Sequence, residues 1–428
     1  MISLISELPG IILTVLGAAY TYMTILMIVG FFSVKRFPEA KHNHRYAILI
    51  AARNEENVIG QLLQSIHEQT YPAELTTVFV VADNCTDKTA EIARAHGAIC
   101  FERTDPDRRT KGFALQYLFQ QIDQSYGISS FDGYLVFDAD NILRPDYLEK
   151  MNRAFDSGEK IVTSYRNTKN WEHSCIAASY AIHWLRTARC ENRGKSVLRM
   201  ACRIQGTGFL FSNELVADGW IYTDLTEDRS FCADAVRKGY HISYQHEAEF
   251  FDDQPEDLFT AFRQRIRWSK GHLQAFTRLG KDLFKRCFTS RFQDAATAYD
   301  MLMINFPLSL IQCVLKALEF LLCVGLIVLA GHSPALFSTW MTGALLAFIG
   351  DYFGNVVLAV YTIILERKHI PRMPWYRILW YCVTFPMFSM IGTITTCIAL
   401  VSKVEWKPIP HRAADMGTLM KIKKSTVN

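Results

Sequence analysis

The sequence predicts an α/β domain with a mostly parallel sheet, flanked by membrane helices. Three observations carry that prediction. Long uncharged apolar runs lie toward the ends of the 428 residues, and most of the charge lies between them. From Tyr46 to about Asp140, short β-rich runs alternate with helical patterns: AILIAAR, NVIGQLLQSI, TTVFVVAD, TAEIARAHG. Each short run is apolar throughout, as a strand buried on both faces must be.

The first element is the uncharged run 11–32, long enough to cross a hydrocarbon core, with Lys35 and Arg36 directly after it. A cleaved signal peptide is the competing reading. It lacks support, because no basic amino-terminal region and no small-residue cleavage site precede the basic pair. The excess of positive charge on cytoplasmic loops puts Lys35, Arg36, Lys41 and the domain after them in the cytoplasm. Residues 1–40 are therefore read as an amino-terminal membrane helix and 41–255 as a cytoplasmic α/β domain.

Within that domain GYLVFDAD is a further strand that delivers carboxylates at its carboxyl end, where ligands of open α/β sheets bind. Residues 141–255 are less regular. They suggest a helix over 145–155, a strand over 160–165, an aromatic-rich helix over 180–187 and a loop at Gly206-Thr207-Gly208. Residues 256–290 put apolar residues on one helical face and many Arg and Lys on the other, the pattern of a helix lying along a membrane interface. An ordinary surface helix is the alternative.

Three apolar stretches follow at 302–330, 336–365 and 378–401, each long enough to span, within a membrane segment of 291–402. The link 331–333 is uncharged, whereas Arg367, Lys368, Arg372 and Arg377 mark the next link as cytoplasmic. The basic tail, 403–428, conflicts with three crossings, which would leave Lys403, Lys407, Arg412, Lys421, Lys423 and Lys424 outside. Either one stretch is split or re-entrant, with Pro307 and Pro386 each interrupting one, or an extra crossing begins near Ala295, or the charge rule fails here.

The formal net charge of +4 does not describe a nucleic-acid binder, since the basic residues cluster near membrane segments and point to membrane lipids as partners. Eleven cysteines without C-x-x-C spacing suggest reduced thiols and no zinc site.

The chemistry-bearing residues are mostly acidic. Asp138 and Asp140, spaced D-x-D at a strand end, would share one side of the strand and suit a hard divalent cation, Mg2+ or Mn2+, with phosphate oxygens. A solvated turn is the bland reading of such a pair. Asp83 ends the strand before DNCTDKT, and Glu55 follows the first strand at the same edge. Asp87 reads as a helix cap or a support for the turn, and Glu55 has a helix first turn as its alternative. In Thr226-Glu227-Asp228 one carboxylate is a candidate base, with Asp228 preferred over a plain capping cluster. Gln264, Arg265, Arg267 and Trp268 sit on the amphipathic helix. There Arg can fork onto phosphate and Trp can stack on a sugar ring.

In this order the motifs ARNE (52–55), Asp83 of DNCTD, Lys111-Gly112, Asp138-x-Asp140, Thr226-Glu227-Asp228 and Gln264-x-x-Arg267-Trp268 resemble the processive, membrane-bound branch of the family-2 glycosyltransferases. That branch includes hyaluronan, cellulose, chitin-oligosaccharide and poly-N-acetylglucosamine synthases. The resemblance implies a GT-A nucleotide-diphospho-sugar transferase fold and inverting, single-displacement chemistry. It implies that Glu55 and Asp83 hold the uridine of a UDP-sugar donor and that Lys111 approaches the nucleotide. Asp138 and Asp140 would hold nucleotide and metal, with Asp140 the metal ligand. Asp228 would be the base, and Gln264, Arg267 and Trp268 would lie near diphosphate and acceptor. Gly206-Thr207-Gly208 departs from the branch's usual loop. A growing polysaccharide is the expected acceptor; a membrane lipid acceptor is the alternative, and a non-catalytic nucleotide-binding receptor is a third reading.

Overall fold

The computed structural model describes residues 2–330, 335–404, 409 and 411–424; the uncharged link 331–333 and Lys407 lie outside them. Eight strands form one sheet: β1 Tyr46–Ala52, β2 Thr76–Asp83, β3 Ile99–Arg103, β4 Gly133–Asp138, β5 Ile142–Leu143, β6 Ile161–Thr168, β7 Phe209–Ser212 and β8 Ser243–Asp252. Their order is β3-β2-β1-β4-β7-β6-β8-β5. β3, β2, β1 and β4 run parallel, as the alternating pattern predicts. β7 runs antiparallel between β4 and β6, and β8 is parallel to β6. Two reversals through β7 therefore restore the direction of β4 in β6 and β8. The carboxyl ends Ala52, Asp83, Asp138 and Asp252 all meet at one edge.

β1 and β4 are almost wholly buried. One core covers one sheet face with helix Lys111–Ser125 and an aromatic group of Phe119, Tyr134, Phe211, Trp220 and Phe231. The other packs Leu62, Leu63, Leu148 and Met151 of helices Ile59–His67 and Tyr147–Asp156 on the opposite face. Layers of helix on both sheet faces are what an apolar-throughout strand requires.

The structure corrects one local expectation. β4 ends at Asp138, and Asp140 lies in the turn that follows, so strand alternation does not place the pair. The turn is instead fixed by hydrogen bonds. Asn141 Oδ1 accepts from the Asp138 amide at 3.2 Å, and Thr207 Oγ1 accepts from the same amide at 2.9 Å.

Long helices surround the domain. Gly10–Phe32, Phe337–Leu365 and Trp375–Val401 are long and apolar enough to cross a membrane. The expected single span over 302–330 is broken at Phe306-Pro307. Phe292–Asn305 and Leu308–Leu322 meet there at 57°, because proline supplies no amide donor to continue the helix. Pro386, the other expected break, lies inside the unbroken helix Trp375–Val401.

The amphipathic helix runs over Leu258–Thr289, with Asp257 accepting from the Thr260 amide at its start. Trp375–Val401 lies beside it and parallel to it. Arg265 donates to the Phe388 carbonyl, Ser269 meets Thr395 at 3.3 Å, and Lys270 donates to the Ala399 carbonyl at 2.9 Å. Two close approaches tie these layers to the domain. A Cβ on Gly194 would stand 2.1 Å from the Leu26 carbonyl oxygen, and one on Gly271 would stand 2.1 Å from Thr226 Oγ1. Glycine permits both approaches, of the Leu26 backbone to Gly194 and of the Thr226 side chain to Gly271.

Candidate active site

A cavity of about 210 Å³ opens at the carboxyl edge of the sheet, and all nine residues singled out as site candidates line it. Glu55, Asp83, Lys111, Asp138 and Asp140 form its sheet side. Asp228, Gln264, Arg267 and Trp268 face them from the helix Glu227–Lys238 and the amphipathic helix.

Each sheet-side group is held by local structure. Asp83, buried at the end of β2, pairs with Arg103 of β3 and accepts from Asn84 at 3.0 Å. Lys111 opens its helix behind Thr110, whose hydroxyl accepts from the Phe113 amide. Its ammonium pairs with Asp138, donates to the Gly206 carbonyl at 2.9 Å and lies 3.9 Å from Glu227. Burial works against that ammonium, but Asp138 and Glu227 keep its pKa above the ordinary lysine value. Gly206 and Gly208 both adopt positive φ, and this loop carries Thr207 against the Asp138 amide. The unusual loop at Gly206-Thr207-Gly208 is thus a support of the D-x-D turn.

Asp87 has the role of a turn support, bonding the Thr89 amide at 3.0 Å and the Glu56 amide at 3.1 Å. Glu55 lies outside any helix, before Ile59–His67, so its reading as a first-turn glutamate does not apply.

The partner of Glu55 comes from the far end of the chain. His411 Nδ1 lies 3.0 and 3.1 Å from the two Glu55 oxygens, and its Nε2 is 3.9 Å from Asp140. The Arg412 amide donates to Asp253 at 3.0 Å, Ala414 and Gln61 exchange two hydrogen bonds, and Ile422 packs on Ile142 and Phe251. Burial disfavours the imidazolium, yet Asp140, Glu55 and Asp253 raise the His411 pKa to about 10. Burial also raises Glu55, with His411 opposing. Asp140 shows the reverse balance: burial is outweighed by His411, Lys169, the Asp253 amide and Arg166, and its carboxyl stays below the usual range.

Sequence reasoning misses His411, and no spacing or periodicity marks it. It also misses Asp252 and Asp253, although FFDDQ ends a strand as plainly as VVAD does.

On the other side, Asp228 is half-exposed to the cavity while Glu227 beside it is buried. Burial pushes Glu227 up to about 7 against the pull of Lys111. Arg267 donates to the Leu225 carbonyl at 3.3 Å; burial lowers its pKa against the opposing fields of Glu227, Asp138 and Asp228. The Gln264 amide oxygen is buried with no hydrogen-bond partner, which suits a hydroxyl donor from a ligand. Trp268 meets Tyr180 and Trp184 edge-on at 5.8 and 5.7 Å. Arg265 points away, onto Phe388 of the last long helix.

No group of three His, Cys, Asp or Glu side chains among the described residues is arranged to hold a metal by itself. The donor set fits a weaker demand. Mg2+ and Mn2+ are commonly held by one or two carboxylates plus substrate phosphates, and Asp140 with Asp138 at the cavity edge supplies such oxygens.

Comparison with known proteins agrees with this geometry. Residues 43–271 match a family model described as "Glycosyltransferase like family 2". A probable glycosyltransferase, YdaM, from Bacillus subtilis is 25% identical over 263 residues, 56% of this chain and 58% of that protein. The poly-beta-1,6-N-acetyl-D-glucosamine synthase of Staphylococcus aureus is 26% identical over 287 residues, 65% of this chain and 66% of that protein. The chain thus spans less than two thirds of the length of these curated relatives. Among solved structures, the mannosyltransferase PcManGT from Pyrobaculum calidifontis, in complex with GDP-Man and Mn2+, superposes with a TM-score of 0.60 at 18% identity. It covers 92% of this chain and 99% of its own, a likeness of fold.

Proposed function

The chain belongs to glycosyltransferase family 2, and from that premise we propose that it moves a sugar from a UDP-sugar to an acceptor hydroxyl at the cytoplasmic membrane face by inverting single displacement. The observation that carries this reading is the single cavity with the Lys111–Asp138 pair on one wall and the accessible carboxylate of Asp228 on the other.

In this reading Glu55 and Asp83 hold the nucleoside, and Lys111 and Arg267 neutralise the diphosphate. The acceptor oxygen attacks the anomeric carbon from the face opposite the diphosphate, and Asp228 takes the hydroxyl proton. The carbon–oxygen bond to the diphosphate breaks as the new one forms, and the diphosphate leaves with the electron pair. Asp140 and Asp138 would hold a divalent cation, which would supply charge neutralisation for the leaving diphosphate. Gln264 accepts from an acceptor hydroxyl, and Trp268 offers an apolar edge to the sugar.

A growing polysaccharide is the acceptor that the Staphylococcus aureus relative's name supports. A lipid acceptor is the second reading, favoured by the cluster of cations beside Asp228. Purified protein in nanodiscs, offered a panel of UDP-sugars, is expected to release UDP from one donor and to give a product whose mass identifies acceptor and chain length. Chelation should abolish the release, and Mn2+ or Mg2+ should restore it. No release from any UDP-sugar in the presence of total membrane lipid would reject the reading.

Membrane sidedness follows from the same premise. His369 after helix Ala335–Leu365 bonds Glu249 of β8 at 2.9 Å, and His411 bonds Glu55, so the loop at 366–374 and the tail both touch the catalytic unit. Trp375–Val401 starts near Cys175, which accepts from Trp380, and ends beside Lys270, so both its ends lie against that unit. We read it as an interface helix, with crossings at 10–32, 308–330 and 337–365. The basic tail then stays in the cytoplasm, as its charge demands. A fluorescent reporter fused behind the full chain should be bright and an alkaline phosphatase fusion at the same place inactive; the opposite pattern would put the tail outside.

A further inference from the structure

Around Asp228 the cavity changes sign. Its sheet side is acidic, but the wall formed by Arg203, Arg229, His183 and His272 is basic. Arg229 follows the proposed base directly and makes no side-chain hydrogen bond or ion pair among the described residues. Arg203 has a single loose partner, Glu191, at 3.6 Å. Arg166, by contrast, is satisfied by Asp252, the Gln205 carbonyl and the face of Trp184 at 3.9 Å.

The crowding is electrostatically unfavourable as it stands. Burial and the Arg203 charge lower the Arg229 pKa to about 9. Burial, Arg229 and Arg203 hold His272 well below an ordinary histidine, and burial with four surrounding arginines does the same to His183. Asp228 and Glu191 oppose that lowering at Arg229, but neither forms an ion pair with it among the described residues, so its donors are open to a ligand anion.

The anion is not the donor's diphosphate, for which Lys111 and Arg267 stand on the Asp138 side. The charges that act on Arg229 are those of Arg203, Asp228 and Glu191, whereas Arg267 feels Glu227 and Asp138 together with Asp228. Two guanidiniums with two imidazoles suit the several oxygens of a phosphate better than one carboxylate. His272 belongs to the amphipathic helix, so this wall is built partly by the element that meets the membrane.

We propose that Arg203 and Arg229, with His272 and His183, form a phosphate subsite that anchors the acceptor beside Asp228. The name "acceptor" rests on the transferase reading above; the subsite as a phosphate-binding wall does not. The phosphate belongs either to a lipid headgroup or to a soluble phosphate ester, and one experiment separates the two.

Full-length protein in detergent, saturated with UDP so that the donor side is filled, is titrated by calorimetry with three probes: a long-chain polyprenyl monophosphate, the matching polyprenol, and inorganic phosphate. Binding of the lipid phosphate alone supports a lipid-borne anchor. Binding of both phosphates supports a soluble ester. Arg229→Gln should weaken whichever phosphate binds by ten- to a hundredfold, the loss of one charged hydrogen-bonding partner, and Arg229→Lys should retain part of it.

If the polyprenol binds as well as its phosphate, if UDP blocks the phosphate, or if Arg229→Gln leaves phosphate affinity unchanged, the subsite is wrong. Should Arg229→Gln fail to fold, Arg203→Gln makes the same test from the other side of the wall. Because the readout is binding without turnover, failure to transfer sugar would reject the transferase reading and leave this result standing.

Discussion

Asp228→Asn is expected to lower turnover by roughly 10²- to 10⁴-fold, the usual contribution of a positioned general base, with nucleotide affinity nearly unchanged. The amide keeps the shape of the side chain but cannot take a proton from the acceptor. Nucleotide binding is unaffected because Glu55, Asp83 and the Lys111–Asp138 pair lie on the opposite wall. Steady-state UDP release and calorimetric UDP titration separate the two effects. Undiminished release from the variant would move the base elsewhere. Glu227 is the next carboxylate, but it is buried and lies 3.9 Å from the Lys111 ammonium, so its geometry serves the lysine rather than an incoming hydroxyl.

The second large effect is expected at Gly271→Ala, a position that does not itself line the cavity. The new methyl would stand 2.1 Å from Thr226 Oγ1 and 2.5 Å from its Cγ2, and Thr226 lies two residues before Asp228. Overpacking of this kind costs about 1–3 kcal/mol, while alanine returns up to about 1 kcal/mol of helix propensity. Net stability should therefore fall only modestly. Turnover should fall further, by about 10²-fold, because displacement of the Thr226-Glu227-Asp228 turn by an ångström misaligns the base. Pairing the change with Thr226→Ala removes Oγ1 and Cγ2 from the clash and should recover at least about tenfold of the loss. A double variant no better than the single one would show that this contact does not set the position of Asp228.

Residues whose function depends on strand ends are legible in the amino-acid sequence. Asp83, Asp138 and Glu55 follow apolar runs that can only be buried strands, and a parallel sheet puts such ends together. The D-x-D geometry escapes that pattern because the strand stops one step early. What fixes Asp140 is a turn tied to Thr207 and Asn141, a contact 69 residues long in sequence that no local pattern encodes. The break at Pro307 is legible as one of two proline candidates, but nothing local shows that Pro386 is tolerated within a continuous helix.

Arg203, Arg229 and His272 are illegible for another reason. Arg203 lies in a loop, Arg229 in a helix first turn and His272 on the amphipathic helix, and each looks ordinary where it stands. Only tertiary convergence brings them to one cavity. The long apolar helices sit between these extremes. Their length and apolarity are plain, but whether the last one crosses depends on the residues touching its two ends, Cys175 and Lys270.

The contact between Glu55 and His411 joins residues 356 positions apart. On the ribosome the first strand and its glutamate emerge long before the imidazole that meets them. The sheet edge can form while the remaining helices are still being made, but Glu55 lacks this partner until translation has passed the final long helix. Completion of the cavity's sheet edge is thereby placed among the last events in the making of each molecule.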